Sequence, residues 1–197
     1  MRRFLPLILV LGACAGSGSD EGETRPYSIP NQGGDLEGHG PRGFAGQGVG
    51  LFAGDELNSS FPADDGIQIW LTFELPPLDA LDGAVLRSDA LTVRGNPFDS
   101  LGELRVEQVD HAAFEPGSFD LAATSDLGAC SADVDAGTFE CDVTDIVAGA
   151  AVVGDDVVQF RLKFDQLSDG DGEPDLALFF LTDSNTNEPG IFTLDIS

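Results

Sequence analysis

The sequence predicts an all-β protein: an antiparallel two-sheet β-sandwich, jelly-roll-like, with about eight short strands and one short helical turn. Three observations carry this. Apolar and polar residues alternate at period two in one segment after another. Gly, Pro, Asp and Asn cluster between those segments as turns. No long stretch repeats at 3.6 residues, and no strand–helix–strand alternation appears, which disfavours dinucleotide-binding and phosphate-loop folds. A length of 197 residues suits one good-sized domain.

The clearest strand places Ile67, Ile69, Leu71, Phe73 and Leu75 on one face and Gln68, Trp70, Thr72 and Glu74 on the other. Pro76-Pro77 ends it, because proline cannot donate to a ladder. Residues 83–94 read as a second strand whose alternation slips at 87–89, which predicts a β-bulge there; Gly95-Asn96-Pro97 is the following turn. Residues 104–109 form a third strand, bounded by Gly102 and Pro116-Gly117. Residues 138–143 alternate with Phe139, Cys141 and Val143 inward, and Thr144 is placed to cap a short helical segment over 146–151. Val158, Phe160, Leu162 and Phe164 alternate with Val157, Gln159, Arg161 and Lys163. Residues 176–181 are almost unbroken in apolar character, the pattern of a strand covered on both faces. Phe192, Leu194 and Ile196 close the chain as a final strand.

The N-terminal segment reads as an address. Arg2 and Arg3 precede an apolar run over 4–11 that is too short to span a bilayer. Leu11-Gly12-Ala13-Cys14 resembles the bacterial lipobox, which implies removal of residues 1–13 and acylation of the Cys14 thiol. The alternative is an ordinary secretory leader with an incidental cysteine. Residues 14–45 are then a lipidated Cys and a flexible tether rich in Gly, Ser, Pro and acid, leaving 46–197 as the sandwich. Ala15, rather than Asp, follows the cysteine. By the same resemblance, this implies an outer-membrane lipoprotein of the cell envelope, facing the periplasm or the cell surface. With Cys14 assigned to the anchor, Cys130 and Cys141 remain, and in an oxidising compartment such a pair reads as a disulfide ahead of a metal site. Closing that loop contributes about 2–3 kcal/mol in the chain-entropy model.

Charge excludes some partners. There are 9 Lys and Arg against 35 Asp and Glu, a formal −26, and loss of the leader with its two arginines makes it −28. Such a chain is repelled by nucleic-acid phosphates, so nucleic acid is not a partner, and by anionic lipid, so the membrane is reached through the anchor alone. A 42% hydrophobic content with 14 Phe is too apolar for a disordered acidic tail.

Three stretches resemble the DNRLRE-type domain, a β-sandwich related to carbohydrate-binding modules. The first is Ile69-Trp70-Leu71-Thr72-Phe73-Glu74-Leu75-Pro76-Pro77, followed by Gly83-Ala84-Val85-Leu86 and the Ala90–Val93 strand. The second and most specific is Phe139-Glu140-Cys141-Asp142-Val143-Thr144-Asp145-Ile146-Val147. The third is Phe160-Arg161-Leu162-Lys163, then Phe179-Phe180-Leu181-Thr182-Asp183-Ser184-Asn185 and a terminal strand. The resemblance covers roughly 46–197 and implies a non-catalytic binding module for a glycan or cell-surface polymer. Some related domains bind acidic polysaccharides, which this acidic surface would repel unless a metal ion bridges the two.

Few constellations carry chemistry. Asp169, Asp171, Glu173 and Asp175 alternate within one turn, and a hard cation such as Ca²⁺ needs several oxygen ligands of that kind. A solvated acidic turn is the competing reading. The pattern is not an EF-hand, because Pro174 stands where that loop has Gly and Phe180 where it has Glu. Asp64-Asp65 and Asp155-Asp156 read as turn residues. His39, within the tether, and His111, after a strand, read as surface histidines. Trp70 is a candidate sugar platform if its face is open, and core if it is covered. No Gly-x-Ser-x-Gly, His-Glu-x-x-His or phosphate-loop motif is present, so the chain reads as a non-enzyme. The main reading is a glycan- or polymer-binding lipoprotein with Ca²⁺ as its candidate cofactor. The alternative is a structural or adhesive lipoprotein with a protein partner.

Cells fed a fatty-acid analogue should label the chain, and Cys14→Ser should abolish the label. Label persisting on the serine variant would refute the anchor.

Overall fold

The computed structural model describes residues 27–32, 37–42, 50–55, 66–78, 80–111, 115–180 and 190–197. The leader, Cys14, residues 15–26 and Asp64-Asp65 lie outside the described residues, as do 181–189 of the third family-like stretch. In chain order the elements are β1 (Tyr27–Pro30), β2 (Gly38–Gly40), β3 (Leu51–Asp55), β4 (Gln68–Glu74), β5 (Ala84–Ser88) and β6 (Leu91–Arg94). There follow α1 (Pro97–Ser100), β7 (Leu104–Gln108), a 3-10 turn (Pro116–Asp120), β8 (Ser125–Ala129), β9 (Ser131–Asp133) and β10 (Thr138–Asp142). The chain closes with α2 (Thr144–Val153), β11 (Val157–Phe164), β12 (Asp175–Phe179) and β13 (Thr193–Ile196).

All strand pairs are antiparallel, in three sheets ordered β1-β13-β5-β10-β9, β2-β4-β11-β7-β8 and β3-β12-β6. The architecture is the all-β sandwich that the alternation predicts, with a third, smaller sheet joined to the second by a Gly54–Ile67 bridge. Inward residues of all three sheets share one core, including Leu86, Phe139 and Leu194, then Leu71, Phe73 and Phe160, then Leu51 and Phe179. Phe179 packs on Phe192 with ring centroids 4.7 Å apart, and Phe139 meets Phe179 edge-on at 5.7 Å. These edge and tilted contacts follow from the ring quadrupole, and burying each ring contributes about 1.5–3 kcal/mol.

Several details differ from the sequence reading. Thirteen strands form among the described residues, more than the eight expected, because short edge strands add to the alternating ones. Part of the expected tether is built into the sheets: β1 pairs with β13 and β2 with β4. A buried polar pair holds this segment. The Asn31 amide donates to Glu37 Oε2, and Glu37 Oε1 accepts the N–H groups of Gln32 (2.8 Å) and Thr72 (3.0 Å). Asn31 Oδ1 accepts the N–H groups of Gly190 and Phe192, each at 2.9 Å. The slip in 83–94 is not a bulge but a change of sheet, since β5 belongs to the first and β6 to the third. Thr144 is the first helical residue of α2, not its cap; its N–H and hydroxyl both donate to Asp142. Those two bonds hold the Asp142 carboxyl below its usual range.

The second sheet is covered on its outer side as well. Trp70, Val109 and Phe119 form a small satellite core there, with Leu167 packed against it. A buried ion network holds the cover down. Arg161 is paired with Glu107, and its Nη1 also donates to the carbonyls of Phe119 (3.2 Å) and Leu121 (2.8 Å). Lys163 Nζ approaches the other Glu107 oxygen at 2.7 Å. The guanidinium of Arg42 lies over the Phe119 ring, 4.7 Å from its centroid.

Removing one partner of a buried pair strands the other. Glu107→Ala should therefore destabilise the protein by about 3–5 kcal/mol in urea unfolding, whereas Glu107→Leu with Arg161→Met should recover much of that loss. A cost under about 1 kcal/mol for the single variant would contradict the network's role.

Candidate functional site

The acidic turn between β11 and β12 is organised from beneath by a residue that its own sequence does not contain. Asp55 ends β3 in register with Asp175, the first residue of β12. Its side chain is buried and accepts the N–H of Asp169 (3.3 Å) on one oxygen and that of Asp175 (3.2 Å) on the other. Both ends of the turn thus rest on one carboxylate. The approach is close enough that Gly54, at φ +132°, has no room for a Cβ, which would lie 2.0 Å from the Asp175 carbonyl oxygen.

Within the turn the side chains of Ser168, Asp169 and Asp171 fold back on the main chain. The Ser168 hydroxyl accepts the Gly170 N–H (3.0 Å), Asp169 Oδ1 that of Asp171 (3.0 Å), and Asp171 Oδ1 that of Glu173 (2.7 Å). These are the local side-chain turns that Ser and Asp favour. The buried Asp175 carboxylate accepts from the Asn96 N–H and the Ser100 hydroxyl, which docks α1 beside the turn. Gly95 lets the chain pass: a Cβ there would lie 2.2 Å from Asp175 Oδ1.

Between α1 and the turn lies an open depression of about 660 Å³, lined by Arg94, Asn96, Ser100 and the acidic residues. Asp169, Asp171 and Asp175 each present a carboxylate oxygen there, all within 4.8 Å of one another. Two oxygens on opposite sides of a Ca²⁺ lie about 4.6–5.2 Å apart, twice the usual bond length, so the spacing suits that ion. Glu173 lines the depression but stands outside this group of three. Asp55, Asn96 and Ser100 had no signal in the sequence, since their contacts with the turn span 75 to 120 residues.

The other candidates lie elsewhere. Trp70 is fully buried in the satellite core, so it offers no platform to a sugar. Cys130 and Cys141 form a disulfide with Cα atoms 4.6 Å apart, as expected. Cys130 stands where the chain passes from β8 in the second sheet to β9 in the first, so the bond fixes that crossing. Asp155-Asp156 follow the end of α2 and are exposed, as turn residues should be. Both histidines are buried rather than on the surface. The His111 N–H donates to Gln159 Oε1 at 2.8 Å. His39 packs on Phe52, ring centroids 3.7 Å apart, and its burial pushes the imidazole pKa down to about 4. Among the described residues no helix is long and apolar enough to cross a membrane. No protein-family model matches the chain, and no curated protein matches it either.

His39 imposes a pH dependence. The unfolded chain takes up its proton as pH falls through 6.5, whereas the folded ring resists until about 4. The unfolded state therefore binds more protons in that window, and the contribution, full above 6.5, is lost as pH drops towards 4. The gap corresponds to about 3 kcal/mol. His39→Phe should lose less stability than the parent between pH 7 and 4.5, read by urea midpoints. Parallel losses would overturn this assignment.

Proposed function

We propose that this chain is an exported, non-catalytic binding module, carried on a lipidated Cys14 in the outer membrane, with a DNRLRE-like β-sandwich that binds a glycan or cell-surface polymer with the help of Ca²⁺. The observation that carries the reading is the acidic turn. Its two ends are tied to Asp55, and three carboxylate oxygens converge within 4.8 Å beside an open depression. Ca²⁺ takes six to eight oxygens, so three carboxylates leave positions for water or for hydroxyl and carboxylate groups of a polymer. An ion held there bridges acidic groups of a polymer to the turn and offsets the repulsion locally, on a mature chain of formal −28. The disulfide and the leader-like N-terminus support export to an oxidising compartment.

The structural or adhesive alternative has its own observation in favour. Val152 and Val153 stand 87% and 71% exposed at the end of α2, an apolar feature suited to a protein partner.

If Ca²⁺ binds, millimolar ion should raise the melting temperature over EDTA by about 5 °C, as expected at roughly 100-fold saturation. Asp169→Asn with Asp171→Asn should erase the rise, and polymer retention on a glycan array should require the ion. Identical melting in EDTA and in Ca²⁺ would remove the cation site from the reading.

A further inference from the structure

The end of α2 is electrostatically one-sided. A helix C-terminus carries partial negative charge and usually attracts Lys or Arg. Here the last turn has no basic residue; the N–H groups of Gly154 and Asp155 cap the Ala151 and Ala150 carbonyls, and Asp155 and Asp156 stand exposed just beyond the cap. Next to them in the chain Val152, Val153 and Val157 lie open to solvent, the first two on the helix end and Val157 in the wall of a depression. The two aspartates form a ridge between two depressions. One, of about 370 Å³, is lined by Leu75, Pro77 and Leu78 from the β4–β5 connection; the other, of about 400 Å³, runs along β11 to Gln108 and Asp110.

We propose that this surface docks a cationic amphipathic segment of a partner protein, its apolar side chains on the exposed valines and in the Leu75–Leu78 depression, its Lys or Arg groups on the Asp155-Asp156 ridge. This rests on the protein-partner reading and is independent of the cation site. Charge complementarity selects the occupant. A second copy brings the same acidic ridge and a like net charge, and an anionic lipid surface is repelled by it, while a basic segment meets the two exposed acids. The paired depressions on either side of the ridge accept side chains, which favours a peptide over a small cation.

The test uses the mature chain and three synthetic probes: an amphipathic Leu/Lys peptide, a Ser/Lys peptide of equal charge, and a Leu/Glu peptide. At about 0.15 M salt the Leu/Lys peptide should bind about tenfold tighter than Ser/Lys, with no binding of Leu/Glu. Val152→Ser with Val153→Ser should reduce Leu/Lys affinity about tenfold, and Asp155→Asn with Asp156→Asn should do likewise. Asp133→Asn with Asp135→Asn, which removes equal charge at the β9–β10 turn, should leave it unchanged. Amide shifts in a titration should cluster at Leu75, Leu78 and residues 151–157. Shifts spread over the acidic surface, or retained affinity in the valine variant, would overturn this surface while leaving a protein partner elsewhere open. No binding of any peptide would count against both. Valine-dependent self-association in sedimentation, or valine-dependent binding to neutral vesicles, would assign the surface to a second copy or to lipid and overturn the proposal.

Discussion

A buried carboxylate is tolerable only when its hydrogen bonds are complete, and in this protein that requirement ties the N-terminal segment into the sandwich. Glu37 accepts from Asn31, Gln32 and Thr72, while the Asn31 carbonyl accepts from Gly190 and Phe192. The pair reaches both principal sheets, through Thr72 on β4 and through the residues entering β13. Phe192 is also a centre of the aromatic core, in contact with Phe139 and Phe179. Placing Glu37 therefore places the strand entry on which that core packs. If either partner is missing, a charged or amide group is left buried without its complement, which costs far more than the bond itself contributes.

Strands with strong two-residue alternation were legible: β4, β10 and β11 carry apolar side chains at every second position, and burial of one face enforces the register. The edge strands were not. β2 is Gly-His-Gly and β1 is Tyr-Ser-Ile-Pro, and neither has enough apolar side chains to show a period. Their positions come from backbone pairing and from Glu37, neither of which leaves a local pattern. The change of sheet at Asp89-Ala90 was visible only as a lapse in alternation, a signal shared by bulges and crossings. At the acidic turn, composition pointed to Asp169, Asp171 and Asp175, but not to the support beneath them. Asp55 acts across more than a hundred residues, and only the β3–β12 register brings it there.

Charge is arranged differently at the buried and exposed sites. Glu107 is matched by Arg161 and Lys163 beneath the satellite core, whereas the acidic turn and the end of α2 concentrate carboxylates at the surface. Two of these surface clusters sit beside open depressions. The same sandwich therefore gathers carboxylates at two separate places on its surface, the β11–β12 turn and the end of α2, without either disturbing the core.

The place of β13 in the first sheet has a kinetic consequence. It lies between β1 and β5, so the first of the described strands rests against the last of them, and Ser28 meets Asp195 across 167 positions. Closure over such a span is entropically slow and cannot begin before the residues of β13 have been made. During synthesis β1 stays without this partner until β13 is made. Deleting only the last few residues should therefore leave β1 and β5 with exposed edges prone to aggregate, a liability set by the order of synthesis rather than by the stability of the finished fold.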